Sequence, residues 1–424
     1  MNRPENLERD LAMWFADTAT PRVPDFTDDI LRLTAGTRQR PRWSFPERWL
    51  PMSVITVGRQ AFKPLPWRMI GLLAVLAILI AASIAFYIGS QRKPPDPFGL
   101  AGNGRIAYSV VNDIVLVDPA TGALTTLVGG PTSDSFPVFS RDGTRLAFER
   151  LVGGGNQLFV VDPAGGEPTA LTPVTYDQMF GLSWSPDGTE ILYSTGDLVL
   201  VPTNAGGEMR RLVYDIRSQG FPTFRPPDGH DISFKGSRSD DSASGWYLVK
   251  RDGSAEPRPI VVADGSILQG TPLQWTPDGR GFITIQTDST SSGVEVGRIH
   301  VMTLGDDDRV TEDLVVGPPV LLGPIGSPLS PDGTKVIATV AQPDGVAWQA
   351  TIVPTDGAGE SVVTGPMFEG SDFAFTWSPD GQLIVVNDTT TREVWLLDAN
   401  GGPARRGGWT DPTDEIPTFQ RVSR

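Results

Sequence analysis

Six aspartates recur along the chain in one setting. Asp142, Asp187, Asp228, Asp278, Asp332 and Asp380 each stand immediately before a glycine, a few residues after an apolar side chain. A repeated carboxylate is a candidate cation ligand. Each of these has a nearer use, because Asp-Gly between apolar runs is turn chemistry and glycine takes up the positive φ that a tight turn needs. Copies on successive repeats would also stand far apart around a ring, so no metal site is expected from them. The acidic loops SRSDDSAS (237–244) and GDDDR (305–309) are denser in carboxylate. Neither has the D-x-D-x-D-G spacing of a calcium loop, and both read as solvated loops.

Other candidates for chemistry are few. The chain has no Cys and 2 His, which excludes thiol catalysis, zinc-thiolate sites and iron–sulfur clusters. His230 and His300 fall on different repeats and read as structural. Ser183 and Ser185 sit in GLSWSPDG, where Ser185 is a turn residue. No G-x-S-x-G elbow exists, and three residues follow position 421, so an attached serine hydrolase is not expected. Glu295, Asp241 and Asp307 are the acids best placed in loops for an acid–base enzyme, but the spacing pairs no two of them. The expectation is a chain with no catalytic, cofactor-binding or metal-ligating residues. An enzyme with acidic catalytic groups stands as an alternative.

The elements that carry these residues form a repeat. FSRDG (139–143), WSPDG (184–188), FRPPDG (224–229), WTPDG (275–279), LSPDG (329–333) and WSPDG (377–381) are spaced by 45, 41, 50, 54 and 48 residues from glycine to glycine. The turn pairs are Asp142-Gly143, Asp187-Gly188, Asp228-Gly229, Asp278-Gly279, Asp332-Gly333 and Asp380-Gly381. Proline before the aspartate fixes φ on the way into the turn. β-formers follow each turn, as in RLAFER and KVIATV. About 20 residues later an apolar strand runs into a second Gly-rich turn, as in QLFVVDPAGGEP and VWLLDANGGPAR. Each unit therefore reads strand, Asp-Gly turn, strand, loop, strand, Gly-rich turn, strand, which is one four-stranded blade. The 47 Gly and 38 Pro, about a fifth of the 424 residues, supply those turns.

The two ends of the array are complementary. Residues 103–128 lack a first strand, with Asn103-Gly104 assigned to the Asp-Gly turn position. Ile416, Pro417, Thr418 and Phe419 match the first strands FPVF and FPTF but begin no further unit. The C-terminal strand is expected to complete the first blade and close the ring, which removes open sheet edges. The expectation is an all-β, seven-bladed β-propeller, with six blades as the fallback should the irregular fourth or fifth unit not form a blade. A parallel β-helix and a sandwich are the rival readings. Phe139, Trp184, Phe224, Trp275 and Trp377 share one repeat position and read as packing between blades. Trp348 and Trp409 are out of register, and their position, packed or exposed, is left open.

The motif (W/F)-S-P-D-G-x-x-(I/L)-x-(F/Y) resembles the TolB-like, or WD40-like, β-propellers of bacteria. The resemblance covers about 320 of the 424 residues. It lacks the Gly-His and Trp-Asp pairs of eukaryotic WD repeats. What it implies is a binding or scaffold module.

Before the array, residues 69–89 contain no charged group. Twenty-one residues at ~1.5 Å each are enough to cross a bilayer core of ~30 Å, flanked by Trp67 and Tyr87. Residues 37–68 carry seven basic groups against one acid, Glu47, which predicts a cytoplasmic N-terminus and an extracytoplasmic propeller. The net charge of −15 divides accordingly: residues 1–68 have 11 basic and 8 acidic groups, residues 94–424 have 22 and 42. That balance argues against nucleic-acid binding. The organisation expected is a helical and basic juxtamembrane segment (1–66), a single transmembrane helix (67–90), a linker (91–102) and the propeller (103–424). Leu7, Leu11, Trp14 and Phe15 share one helical face in the first segment. Its layout is similar to that of membrane anti-sigma factors, without their zinc-binding residues, and implies a signalling role as an alternative. The function expected is a membrane-anchored extracytoplasmic protein- or ligand-binding scaffold module without catalysis, with a protein or peptide partner on a propeller face.

Overall fold

The computed structural model describes Met13, residues 72–80 and residues 93–424, the last without 205, 213, 221, 239–242, 272, 292–293, 322–324, 342–346, 370–372, 389 and 411–415. The chain divides into two units, Met1–Ser90 and Gln91–Arg424. In the first unit residues 72–80 are helical and exposed. Among the described residues no helix is long and apolar enough to cross a membrane. The remainder of the run 69–89 and the helical segment expected over residues 1–66, apart from Met13, lie outside the described residues.

The second unit is a seven-bladed β-propeller, with seven separate antiparallel sheets following one another along the chain. The sheet of the first blade has the order Thr418–Val422, Gly102–Val110, Asp113–Val117, Leu124–Val128. Thr418 pairs with Ala107 and Phe419 with Ile106, so the C-terminal strand closes the ring. The fifth blade, irregular in sequence, is complete and has the longest strands: Gly281–Ser291, Val294–Leu304 and Val310–Leu321. The sixth is the reduced one. Its first strand shrinks to a bridge between Leu329 and Val336, while Ile325–Gly326 pairs in parallel with Phe373–Trp377 of the seventh blade.

The core lies between the blades. Each hydrophobic cluster joins side chains of neighbouring sheets, such as Ile106 and Val117 of the first blade with Val385 and Leu396 of the seventh. Trp184 donates its indole N–H to the carbonyl of Val138, and Trp377 to that of Pro328, in each case on the preceding blade (2.9 and 2.8 Å). The repeated aromatic thus packs and also satisfies a strand carbonyl beside the ring axis. Trp348 and Trp409, left open by the sequence, are both packed, at 5% and 7% exposed. Trp348 is buried with Phe373 and Phe375 of the seventh blade. Trp409 meets Tyr108 edge-on across the blade junction, with ring centroids 6.2 Å apart.

The motif Ser-Pro-Asp-Gly-Thr is a closed set of hydrogen bonds. In the third blade Gly188 N–H donates to the Ser185 carbonyl at 2.9 Å with φ of +66° at the glycine. Asp187 Oδ1 accepts from Ser185 Oγ (2.6 Å), Thr189 N–H (3.0 Å) and Thr189 Oγ1 (2.8 Å). Asp142 and Asp332 repeat the pattern with Ser140 and Thr144 and with Ser330 and Thr334. Asp278 and Asp380 keep the bonds from Thr276 and Ser378 and from the second backbone N–H onward, and Asp228 keeps only the last, from His230. Gly143, Gly229, Gly279, Gly333 and Gly381 all have positive φ, as Gly188 does. The carboxylates are therefore engaged locally, turn by turn.

Asn103-Gly104 is a correction. These residues form no turn; they extend the strand Gly102–Val110, where Asn103 pairs with Arg421. The first strand of this blade arrives from the other end of the chain, so there is no connection for a turn to make. Gly104 is small because Gln420 crosses it: a Cβ there would lie 2.8 Å from the Gln420 Cβ. Asn103 Oδ1 instead accepts from Asp380 N–H at 3.0 Å, tying the first blade to the turn of the seventh.

Candidate functional site

Antiparallel order sends the Asp-Gly turns to one face of the ring, with the turns between third and fourth strands. The turns between second and third strands, and the connections from blade to blade, emerge on the opposite face. The two faces differ in chemistry.

The Asp-Gly face is polar and cross-braced. Arg251 of the fourth blade donates to Asp187 (3.1 Å) and Glu190 (2.7 Å) of the third, and Arg210 joins Glu190 at 2.8 Å. Burial alone would raise the Asp187 carboxyl, but hydrogen bonds from Ser185, Thr189 and Arg251 outweigh it and hold the group well below the ordinary carboxylate range. Turn-glycine carbonyls accept from the neighbouring blade as well, Gly279 from Arg225 and Gly143 from Gln420, both at 2.8 Å.

The opposite face carries exposed apolar side chains over the first three blades. Val111 is 76% exposed and Tyr176 is 82%; Phe136, Leu151, Val174 and Phe180 are also exposed. Backbone hydrogen bonds bring the segments that carry them together. Asp134 N–H bonds the Asn112 carbonyl and Leu151 N–H the Ser133 carbonyl (2.8 and 2.9 Å), which joins Val111, Phe136 and Leu151. Asn156 and Thr175 exchange backbone bonds of 2.7 and 2.8 Å, which bring in Val174 and Tyr176. Phe180 pairs with Ser194 at the start of the third blade.

Two of these side chains are held out at a conformational cost. Val111 has φ of 49° and Phe136 has φ of 52°. Positive φ in a β-branched or bulky residue is an outlier, costing about 1–3 kcal/mol, and persists only where the surroundings impose it. For Val111 the imposing element is a two-residue turn, since Val110 pairs with Asp113 and Asn112 also has positive φ. For Phe136 it is a bulge, where the pairing slips between Ser135 and Val138. The base of the bulge is clamped by Asp134, whose buried carboxylate takes both Nε and Nη2 of Arg150 at 2.6 and 2.8 Å.

A cleft of about 340 Å³ adjoins the patch and shares Val174 with it. Tyr193, Val199 and Met209 supply its apolar wall, and Arg211 its charge. Thr195 contributes a buried hydroxyl without a partner. Burial raises the Tyr193 hydroxyl, which stays protonated. Asp177, Arg211, Asp197 and Arg217 form a chain of ion pairs at 3.9, 3.4 and 2.9 Å along the edge of the patch. An apolar centre with a charged rim is the composition of a recognition surface.

The acids considered for catalysis are not brought together. Asp307 lies on an exposed turn of the fifth blade beside Arg309, at 3.6 Å. Its neighbour Asp308 is bonded to Arg258. Glu295 falls in the strand Val294–Leu304, opposite Thr290, and Asp241 is outside the described residues. His230 is exposed beside Asp228 at 3.6 Å. His300 Nδ1 is 2.8 Å from Asp313 Oδ1 across two strands of the fifth blade. Among the described residues no group of three His, Cys, Asp or Glu could hold a metal ion.

The apolar patch escaped the sequence reading, although SVVND carries a valine where a turn calls for Asn or Gly. A second feature was equally visible. The sixth residue after each turn glycine is Glu149, Ser194, Lys235, Ile285, Thr339 or Asn387, polar in five of six and mostly buried. Burial depresses the Lys235 ammonium.

No family model matches the chain, and no curated protein does. Solved structures do resemble it. A functionally unknown protein from Desulfotomaculum acetoxidans aligns over 76% of this chain and 100% of its own, at 11% identity and a TM-score of 0.51. TolB from Acinetobacter baumannii aligns over 76% and 68%, at 15% identity and a TM-score of 0.45. Oligogalacturonate lyase from Vibrio parahaemolyticus aligns over 72% and 92%, at 15% identity and a TM-score of 0.48. At such identities the likeness is one of fold.

Proposed function

We propose that this chain is a membrane-anchored, extracytoplasmic propeller that binds a protein partner and performs no catalysis. The observation that carries the reading is the apolar patch of the first three blades, in which two side chains are projected outward against their backbone preference. Positive φ kept at an exposed apolar position costs the fold, and a cluster of exposed apolar side chains with a charged rim marks an interaction site. The anchor rests on the uncharged run 69–89 and the location on the basic excess that precedes it.

Photo-crosslinking in intact membranes tests this. A benzoylphenylalanine at Tyr176 is expected to trap one discrete protein, and the same probe at Leu124, exposed on the outer strand of the first blade, is not. Val111→Asn supplies a second test, because asparagine accepts positive φ. It is expected to raise the melting temperature and to reduce the adduct together. Equal adducts from both probe positions, or an adduct indifferent to Val111→Asn in a stabilised protein, would refute the reading.

A further inference from the structure

The Asp-Gly mouth of the ring has a basic spot of its own. In five blades the residue before the turn aspartate is proline: Pro186, Pro227, Pro277, Pro331 and Pro379. The second blade has Arg141 there. In the closing strand, which has no turn, Arg421 stands two residues after Phe419 as Arg141 stands two after Phe139. These two blades are neighbours, and the Arg421 backbone presses on the turn of the second: a Cβ on Gly143 would lie 1.9 Å from the Arg421 carbonyl oxygen. Two guanidinium groups therefore replace two prolines side by side.

Among the described residues neither forms an ion pair with a carboxylate. Arg421 Nη2 donates to the backbone carbonyls of Asp96 and Gly99 at 2.8 and 3.0 Å, and its Nε is buried without a partner. Among the described residues Arg141 makes no hydrogen bond or ion pair; its guanidinium lies over the Phe98 ring at 4.9 Å. The Asp96 carboxylate turns outward to Lys93 at 3.7 Å. Burial and the charge of Arg141, with Arg424 nearby, push Arg421 down to about 10. Carboxylates are abundant in this unit, 42 acids to 22 bases over residues 94–424. A like-charged pair, partly desolvated and left with unused donors, is unfavourable unless an anion joins it.

We propose that Arg141 and Arg421 bind a phosphate group at the Asp-Gly mouth, beside the linker residues Asp96–Gly99. A tetrahedral oxyanion offers acceptor oxygens in several directions to both guanidinium groups at once, and at neutral pH it brings more negative charge to the like-charged pair than a single carboxylate does. The phosphate belongs either to a soluble phosphate compound or to a lipid headgroup, since Lys93 follows the apolar run by only four residues in sequence.

The test uses the full chain in dodecyl maltoside, followed by thermal unfolding. Sodium phosphate is expected to raise the melting temperature saturably at constant ionic strength, and sodium chloride and acetate are not. Arg141→Pro restores the residue found in five other blades. It is expected to melt normally without phosphate and to need at least tenfold more phosphate for half of the shift. Should Arg141→Pro not fold, equilibrium dialysis of the unaltered chain and of Arg421→Gln against radiolabelled phosphate reads the same loss. Phosphatidylglycerol added to the micelles assigns the source: a lipid headgroup abolishes the response to free phosphate, and a soluble ligand leaves it intact. Either result sustains the site. A phosphate shift that acetate matches, that Arg141→Pro leaves unchanged, or that does not exist overturns it.

Discussion

Replacing Arg150 by methionine separates the value of one buried ion pair from that of the packing around it. The Asp134 carboxylate is fully buried and Arg150 is 18% exposed, with the pair closed at 2.6 Å. The guanidinium also lies 4.8 Å from the centre of the Phe159 ring and 5.4 Å from that of Phe148. Methionine keeps an unbranched stem against those rings and removes the charge. Asp134 is then a buried carboxylate without its cation, for which the cost is about 3–5 kcal/mol. At ~1.4 kcal/mol per decade this is roughly two to three and a half orders of magnitude in the folding constant. The control is Arg309→Met, which breaks the exposed pair with Asp307 and should cost ~1 kcal/mol or less. Urea unfolding of the full chain, compared through midpoints at constant slope, measures both. The double variant Asp134→Leu with Arg150→Met should recover most of the loss, because the pair is then absent and not merely broken. An Arg150→Met midpoint no lower than that of Arg309→Met would refute the reasoning.

Two further outcomes follow from the turns and the closure. Asp187, held below the ordinary carboxylate range in the folded state, contributes stability that is present above the unfolded value near 4 and is lost as pH falls through that range. The melting temperature should therefore drop below about pH 4, and Asp187→Asn should flatten that drop; an unchanged pH slope in the variant would count against it. Deleting residues 416–424 strips the innermost strand from the first blade and leaves Gly102–Val110 with an open edge. Light scattering after gel filtration should show association through that edge, reversed by the free peptide of residues 416–424, and a stable monomer would contradict the closure.

The blades were legible because their signal is local. Ser185, Asp187, Gly188 and Thr189 close their own turn by bonds to one another, with Arg145, Thr203 and Arg251 added from outside, so the motif specifies its turn wherever it occurs. The closing strand was legible for the same reason, since Phe419 repeats a pattern set by Phe139. Asn103-Gly104 was misread because its partners are Gln420 and Arg421, more than three hundred residues away. The burial of Trp409 likewise depends on Tyr108 across the junction, which no spacing within its own blade reveals. Val111 and Phe136 were hidden differently: each contradicts the preference of its own backbone, so a reading built on preference passes over them. The face they mark was placed in the structure by turn geometry and bulge register.

The meeting of both chain ends in the first blade also has a mechanical meaning. Gly102 pairs with Val422, Ser423 Oγ bonds the Lys93 carbonyl, and Arg421 holds the carbonyls of Asp96 and Gly99. Tension applied along the linker reaches the sheet at Gly102, paired there to the closing strand and, from Ile106 onward, also to Asp113–Val117. A pull along that strand loads the two ladders in shear, with many hydrogen bonds bearing force together and none peeled in turn. Part of the load passes first to the closing strand through Arg421 and Ser423. The ring is thus fastened at the point where a tether would strain it most, and its latch shares the pull.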